Sequence, residues 1–164
     1  MKLENQSSDV QQLLRAIEND DHPIVMGLLK KGVDINSRDE GGSTPLMRAS
    51  LLAYNDLVDF LIHSKADVNL HDNAGFTALH YAAQEYHEEI ARKLIEAGAD
   101  VNSQDIHGNS PLFKAVFRAR NRGALIKLLR EHGANDNLPN KHGVTPLSLA
   151  HTIANYDAVQ FFKD

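Results

Sequence analysis

The sequence of 164 residues contains no cysteine. Disulfide bonds, thiolate zinc sites, iron–sulfur clusters and cysteine nucleophiles are therefore excluded. Long apolar runs are also absent: no segment approaches the roughly 18 consecutive apolar residues that a membrane-spanning helix needs. Residues 1–9 show no apolar segment of a signal peptide. We therefore expect a soluble, cytoplasmic protein that does not bind a membrane.

The chain lacks the basic excess that most nucleic-acid-binding domains carry, since its formal net charge is −5. We therefore expect no nucleic-acid partner. The charge is unevenly distributed: residues 1–105 hold 9 basic and 18 acidic residues, whereas residues 106–164 hold 8 and 4. The basic residues centre on Arg118, Arg120 and Arg122. They form either a steering patch for an acidic partner or a solvated helix end that the helix dipole favours.

Motifs of a catalytic site are missing as well. The sequence contains no nucleophile elbow, no phosphate-binding glycine loop and no histidine–glutamate zinc motif. Among its 9 histidines, His107 and His142 occupy equivalent turn positions, but two histidines without a third protein ligand make a poor zinc site. We therefore expect a protein that is not an enzyme and that binds neither a metal ion nor a cofactor.

What the chain does contain is an internal repeat. Three patterns each occur four times, with spacings of 33, 33 and 35 residues in every case. They are marked by a hydroxyl residue two positions before a leucine (Thr44, Thr77, Ser110, Thr145), by an asparagine (Asn36, Asn69, Asn102, Asn137) and by a glycine (Gly42, Gly75, Gly108, Gly143). Three series with one period indicate a repeat architecture. The two additional residues fall between Pro111 and Ala134, around residues 121–123.

Each unit is predicted to be a turn followed by two helices. Thr77 is a good N-cap residue for a first helix, and in the other three units proline takes the first helical position. A second helix over about residues 88–97 carries an apolar stripe, and Gly98 follows where a left-handed residue ends a helix. The polar segment 102–108 predicts a tight projecting turn. Lys65 stands one unit before Gly98, so we expect it to be left-handed.

These repeats resemble the ankyrin repeat family, from about Gln11 to Asp164. The resemblance is clearest in the third unit, which carries Asp72, Gly75, Thr77, Leu79-His80, Ala82-Ala83, His87, Ile90, Leu94-Ile95 and Gly98-Ala99-Asp100-Val101-Asn102. Met47, Phe113 and Ser148 replace the histidine of the family's threonine-proline-leucine-histidine motif. Only His80 is therefore expected to make the hydrogen bonds of that motif. Asn140 replaces the aspartate of the projecting turn in the last unit.

The resemblance implies an all-α fold, namely an ankyrin-repeat solenoid of about five stacked helix-turn-helix units with short projecting turns and two terminal caps. We expect an N-terminal tail at residues 1–10 and an ankyrin repeat domain at residues 11–164. The expected units lie at about residues 11–36, 37–69, 70–102, 103–137 and 138–164.

In the ankyrin family, turn tips and first helices form a concave surface that binds another protein. The candidate contact residues carried over to this sequence are Glu40, Arg48, Leu51, Asn73, Phe76, Tyr81, Gln84, Ile106, His107, Asn109, Lys114, Phe117, Arg118, Lys141 and His142. Because interface energy concentrates in aromatic and arginine side chains, Phe76, Tyr81 and Phe117 are the expected anchors. Phe76 and Ile106 are expected to be solvent-exposed; in the alternative they pack against a neighbouring turn.

The resemblance favours a non-catalytic protein–protein interaction module whose preformed concave face binds a protein partner. The free protein is expected to be a monomer. The alternative is a small inhibitor or immunity protein that blocks a toxin or an enzyme. This alternative follows from the absence of any other recognisable domain to which a scaffold would be attached.

Overall fold

The computed structural model describes residues 2–153 and 157–163, with side chains from residue 8 onward. Within these ranges the chain forms nine α-helices and one 3₁₀ helix, and it contains no strand. The α-helices are α1 (Lys2–Glu18), α2 (His22–Lys30), α3 (Pro45–Leu51), α4 (Asn55–His63), α5 (Ala78–Glu85), α6 (Glu88–Glu96), α7 (Pro111–Arg118), α8 (Ala124–Glu131) and α9 (Pro146–Thr152), and the 3₁₀ helix is Ala158–Phe162. Among the described helices, none has the length and apolar content to span a bilayer.

The first helix of each of the last four units begins at a hydroxyl side chain. Thr44, Thr77, Ser110 and Thr145 each accept a hydrogen bond from the backbone N–H three residues later, at 3.0–3.4 Å. Each of these bonds satisfies one of the amide groups that a helix start leaves without a partner. The repeated hydroxyl of the sequence is therefore the N-cap, as predicted.

The motif histidine joins this cap to the next unit. His80 is fully buried; its Nδ1 accepts the N–H of Thr77 at 3.2 Å, and its Nε2 donates to the carbonyl oxygen of Asn109 at 3.0 Å. Burial lowers the pKa of His80 to about 4, which keeps the ring neutral. Oγ of Ser148 and Sδ of Met47 accept the N–H of their own N-cap residues at 2.8 and 3.4 Å. We expected only His80 to make the hydrogen bonds of the motif. This expectation is wrong for the bond to the N-cap within one unit, because Ser148 and Met47 make the same bond.

The asparagine near the end of each unit holds the following unit in register. Oδ1 of Asn36, Asn69 and Asn102 accepts the backbone N–H of Asp67, Asp100 and Asn135, respectively, at 2.9, 2.8 and 2.8 Å. The amide groups of Asn69 and Asn102 also donate to the carbonyl oxygens of Gly98 and Gly133 at 3.1 and 3.0 Å. Each of these bridges therefore links one unit to the same backbone position of its neighbour.

The helices form two layers. The first helices α1, α3, α5, α7 and α9 pack against one another in order, and α4, α6 and α8 form a second layer that is packed less closely. Ala49, Ala82 and Ala115 lie at equivalent positions of the first helices and are fully buried. Their small side chains allow the first helices to approach closely. Leu79, also fully buried, belongs to the single apolar core between the layers.

Helix α1 differs from the expected N-terminal organisation. It begins at Lys2, so the predicted tail at residues 1–10 belongs almost entirely to the same helix as the first unit. In the second unit the residues that correspond to 6–11 are 39–44, which form a projecting turn and its N-cap. The first unit thus has helix where the other units have a turn, because it lacks the glycine and the hydroxyl of the turn pattern.

Lys65 occupies the left-handed position that glycine takes in three other units. Its φ is 69°, and the φ values of Gly32, Gly98 and Gly133 are 91°, 91° and 88°. The N–H of Lys65 donates to the carbonyl oxygen of Ile62 at 3.0 Å, which ends helix α4 in the way that Gly98 ends α6. The left-handed conformation predicted for Lys65 is confirmed, and a non-glycine residue there is strained by about 1–2 kcal/mol.

The substitution Lys65→Gly should raise the free energy of unfolding by up to about 1 kcal/mol, because it relieves this strain at an entropic cost of about 0.4–1 kcal/mol. The reciprocal control is Gly98→Ala, which should lower the free energy of unfolding by about 1 kcal/mol. An added Cβ at Gly98 meets no heavy atom within 4 Å, so the control reports on the backbone alone. Chemical denaturation measures both changes. A lower midpoint for Lys65→Gly would show that the lysine side chain stabilises the fold.

Candidate binding surface

Each projecting turn is closed by one side-chain oxygen at its first position. This position holds Asp39, Asp72, Asp105 and Asn140, whose Oδ1 atoms accept the backbone N–H of Ser43, Phe76, Asn109 and Val144, respectively, at 2.8, 2.9, 2.9 and 3.0 Å. In the last three turns the same oxygen also accepts the N–H two residues ahead, at 2.8–2.9 Å. Asn140 thus closes its turn as the aspartates do.

The second carboxylate oxygen of each aspartate is held by a side chain of the following first helix. Arg48 binds Asp39, the hydroxyl of Tyr81 donates to Asp72 at 2.6 Å, and Nζ of Lys114 lies 2.9 Å from Asp105. Arg48, Tyr81 and Lys114 lie at successive spacings of 33 residues, all of them predicted to contact a partner. The structure places all three against the carboxylate of their own turn. We call these three residues the turn clamps.

The turn clamps determine the electrostatics of the turns. The side chain of Asp105 is fully buried, and burial alone would raise its pKa, but hydrogen bonds from Lys114 and Asn109 hold that pKa below its usual value. Arg48 lowers the pKa of Asp39 against the same effect of burial. Burial and the bond to Asp72 raise the pKa of the Tyr81 hydroxyl, which remains a donor. The carboxylates of Asp39 and Asp105 therefore stay ionised beside their partners.

Backbone hydrogen bonds join neighbouring turns side by side. The N–H groups of Asn73, Ile106 and Lys141 donate to the carbonyl oxygens of Gly41, Ala74 and His107, respectively, at 2.9, 3.0 and 2.9 Å. Side-chain amides add to this: Nδ2 of Asn73 donates to the carbonyl oxygen of Glu40, and Nδ2 of Asn140 donates to Oδ1 of Asn109, both at 2.9 Å. The side chains left exposed along the tips are Glu40, Asn73, Ile106, His107, Lys141 and His142.

Phe76 is part of the support for its turn. Its ring lies 5.5 Å from the ring of His80 and 5.2 Å from that of Tyr81, measured between centroids, and Nζ of Lys114 lies 4.4 Å from its centroid. The expectation that Phe76 is solvent-exposed is wrong, because these three groups half-bury it. The same expectation is correct for Ile106, which is 50% exposed.

One row of first-helix residues is not bonded to the turn carboxylates; within it, Nε2 of Gln84 donates to Oε1 of Glu85 at 3.3 Å. The row lies three positions after the turn clamps and contains Leu51, Gln84 and Phe117, which share the repeat spacing. Phe117 is 65% exposed, the highest value among the large apolar side chains of the described residues. A shallow cavity of about 250 Å³ lies beside it, lined by Gln84, Phe113, Lys114, Phe117 and Arg118. We call this cavity the Phe117 groove.

The inserted loop between α7 and α8 lies next to this groove and is firmly held. The hydroxyl of Tyr86 donates to the carbonyl oxygen of Arg122, whose guanidinium lies 4.1 Å from the Tyr86 ring centroid. Gly123 packs so closely on Phe161 that an added Cβ would come within 2.1 Å of that ring. Sequence reasoning missed the role of Tyr86, which is left-handed with φ of 62° and 8% exposed.

Among the side chains of residues 8–153 and 157–163, no three from histidine, aspartate or glutamate are grouped so that they could hold a metal ion.

Two family models match the chain. The model described as "Ankyrin repeats (3 copies)" matches residues 13–105, and the model described as "Ankyrin repeats (many copies)" matches residues 94–150. No curated protein matches the sequence at a significant level.

The fifth unit suggests a test of the turn clamps, because it pairs the neutral Asn140 with Leu149 at the clamp position. Lys114→Leu alone should lower the free energy of unfolding by about 3 kcal/mol, since it leaves the buried Asp105 charge without its cation. The double variant Asp105→Asn/Lys114→Leu copies the fifth unit and should recover most of that loss in chemical denaturation. A double variant as unstable as the single one would contradict the assigned role of the ion pair.

Proposed function

Because the chain belongs to the ankyrin repeat family, whose members generally mediate protein–protein binding and are typically non-catalytic, we propose that it is a non-catalytic protein-binding module. We propose further that the partner binds the concave side, which carries the turn tips and the first helices. The fold supplies what such a module needs: a stack held together by its own hydrogen bonds, with a surface formed before binding.

The observation that carries the proposal is the exposure of Phe117. Phe117 is a large aromatic side chain that is 65% exposed beside a cavity and lies outside the core cluster. Aromatic side chains that are buried only on association are typical of binding hot spots. The first helices bring Leu51 and Gln84 into the same row, so the partner would lie along successive units rather than on one of them.

The turn clamps change the expected anchors. Tyr81 and Phe76 are engaged with Asp72, His80 and Lys114, so they support the binding surface and contribute less contact area than the sequence predicts. The contact residues that we propose are Leu51, Gln84, Ile106, Phe117 and Arg118, together with the exposed turn tips.

The inhibitor or immunity protein remains the second form of this proposal, and it would use the same surface. In both forms the free protein is a cytoplasmic monomer. The identity of the captured partner separates the two: a toxin or an enzyme that loses activity in the complex indicates an inhibitor.

Photo-crosslinking tests the surface. A photoreactive phenylalanine analogue at position 117 should capture one protein in the native cell extract, whereas the same analogue at position 127 should not. Lys127 is a matched control because it is exposed on helix α8, in the other layer. Phe117→Ala should then weaken the binding of the purified partner by about 2 kcal/mol, or about 30-fold.

The folded state of the variant must be verified by a melting curve. Because Phe117 is mainly exposed, its truncation should change the free energy of unfolding by only about 0.5 kcal/mol or less. If folded Phe117→Ala binds the captured protein as tightly as the original chain does, the proposed surface is wrong.

A further inference from the structure

The Phe117 groove lies at the edge of a region that contains only basic charge. Residues 106–123 include Lys114, Arg118, Arg120 and Arg122 and no aspartate or glutamate. Lys114 is paired with Asp105. Among the described residues, no carboxylate lies within ion-pair distance of the three arginines. In the described part of the chain these three positive charges therefore have no carboxylate partner, and one of them, Arg118, lines the groove beside the exposed ring of Phe117.

Arg118 ends helix α7, and Arg120 and Arg122 lie in the loop that follows it. Arg122 stacks on Tyr86, and its Nε and Nη2 donate to the carbonyl oxygens of Ala119 and Arg118 at 3.3 and 3.4 Å. Gln160 of the last unit contacts Oδ1 of Asn121 at 3.4 Å. Because these contacts already fix the loop, less conformational entropy is lost when a ligand binds to it.

The size of the groove limits what can enter it. Its volume of about 250 Å³ lies below the roughly 300–1,000 Å³ of pockets that hold drug-sized ligands, so it accommodates a single large side chain. Phe113 and Phe117 provide apolar walls for that side chain. Arg118 lines the groove directly, so a carboxylate next to the inserted side chain could reach its guanidinium.

We propose that the partner segment bound at the Phe117 groove is acidic and inserts one large apolar side chain between Phe113 and Phe117, with neighbouring carboxylates on Arg118 and Arg120. This inference rests on the proposed function and specifies the chemistry of the partner. The excess of acidic side chains in residues 1–105 supports the proposal. Their negative charge repels an acidic segment from the rest of the surface, and this repulsion sets the position and direction of the segment.

A nucleic acid offers the same negative charge, but the observations favour a protein segment. Nucleic-acid affinity depends on many phosphate contacts, and this chain provides three arginines in a field with a net charge of −5. Stacking of successive bases favours several exposed aromatic rings, whereas Phe117 is the only phenylalanine or tyrosine in the described part of the chain that is largely exposed.

Selection from a displayed library of random peptides tests the proposal with the full chain as the target. The enriched peptides should share an aromatic or leucine residue flanked by aspartate or glutamate. The affinity of a selected peptide, measured by fluorescence anisotropy, should fall at least about tenfold when its acidic residues are replaced by glutamine and again when its apolar residue is replaced by alanine.

Two charge-reversed variants locate the site. Arg118→Glu/Arg120→Glu should weaken the selected peptide at least about tenfold, as should Phe117→Ala. Lys127→Glu/Lys163→Glu makes the same change in charge at two exposed lysines away from the groove, and it should leave the affinity within about twofold.

Several results would overturn the proposal: no enrichment, enriched peptides without excess acidic residues, equal loss in both charge-reversed variants, or tighter Phe117-dependent binding of a single-stranded oligonucleotide pool. These results are separable from failure of the proposed function. A protein captured at position 117 whose binding survives Arg118→Glu/Arg120→Glu leaves the surface correct and the acidic segment wrong.

Discussion

The closure of each projecting turn by one side-chain oxygen is the constraint on which the rest of this structure depends. An aspartate at that position satisfies two backbone N–H groups, but its second oxygen then carries charge beside the first helix. A side chain from that helix must partner it, and the chain uses arginine, tyrosine and lysine in successive units. Where the turn residue is the neutral Asn140, the position holds Leu149 and no charge is needed.

This constraint determines which surface residues are available to a partner. The closed turns lie side by side through backbone hydrogen bonds, and Asn36, Asn69 and Asn102 bridge neighbouring units behind them. Arg48, Tyr81 and Lys114, one helical turn after their N-caps, are bonded to the aspartate of their own turn, whereas the side chains three residues later are not. We therefore propose that the partner binds along the row of Phe117 and that the clamps preserve the geometry that exposes this row.

The repeat period, the N-caps, the helix ends and the left-handed Lys65 could all be predicted from the sequence, because each depends on residues close together in the chain. The clamps could not, since periodicity places Tyr81 on the first helix without showing that its hydroxyl reaches back to Asp72. The sequence does contain a signal of the clamps. Asp39, Asp72 and Asp105 are each followed nine positions later by a polar residue, whereas Asn140 is followed at the same spacing by a leucine. The left-handed Ala53 and Tyr86 also escaped prediction, because neither residue type favours that conformation.

A variant that lacks a single oxygen atom tests the claim that the clamps stabilise the turns while the row of Phe117 binds the partner. Tyr81→Phe removes the hydroxyl that donates to Asp72 and leaves the ring against Phe76. Unfolding and binding of the captured partner should be measured on the same preparation. The account predicts a loss of about 1–2 kcal/mol in the free energy of unfolding and an unchanged dissociation constant. Unchanged stability with markedly weaker binding would contradict it, because Tyr81 would then act as a contact residue and not as a clamp.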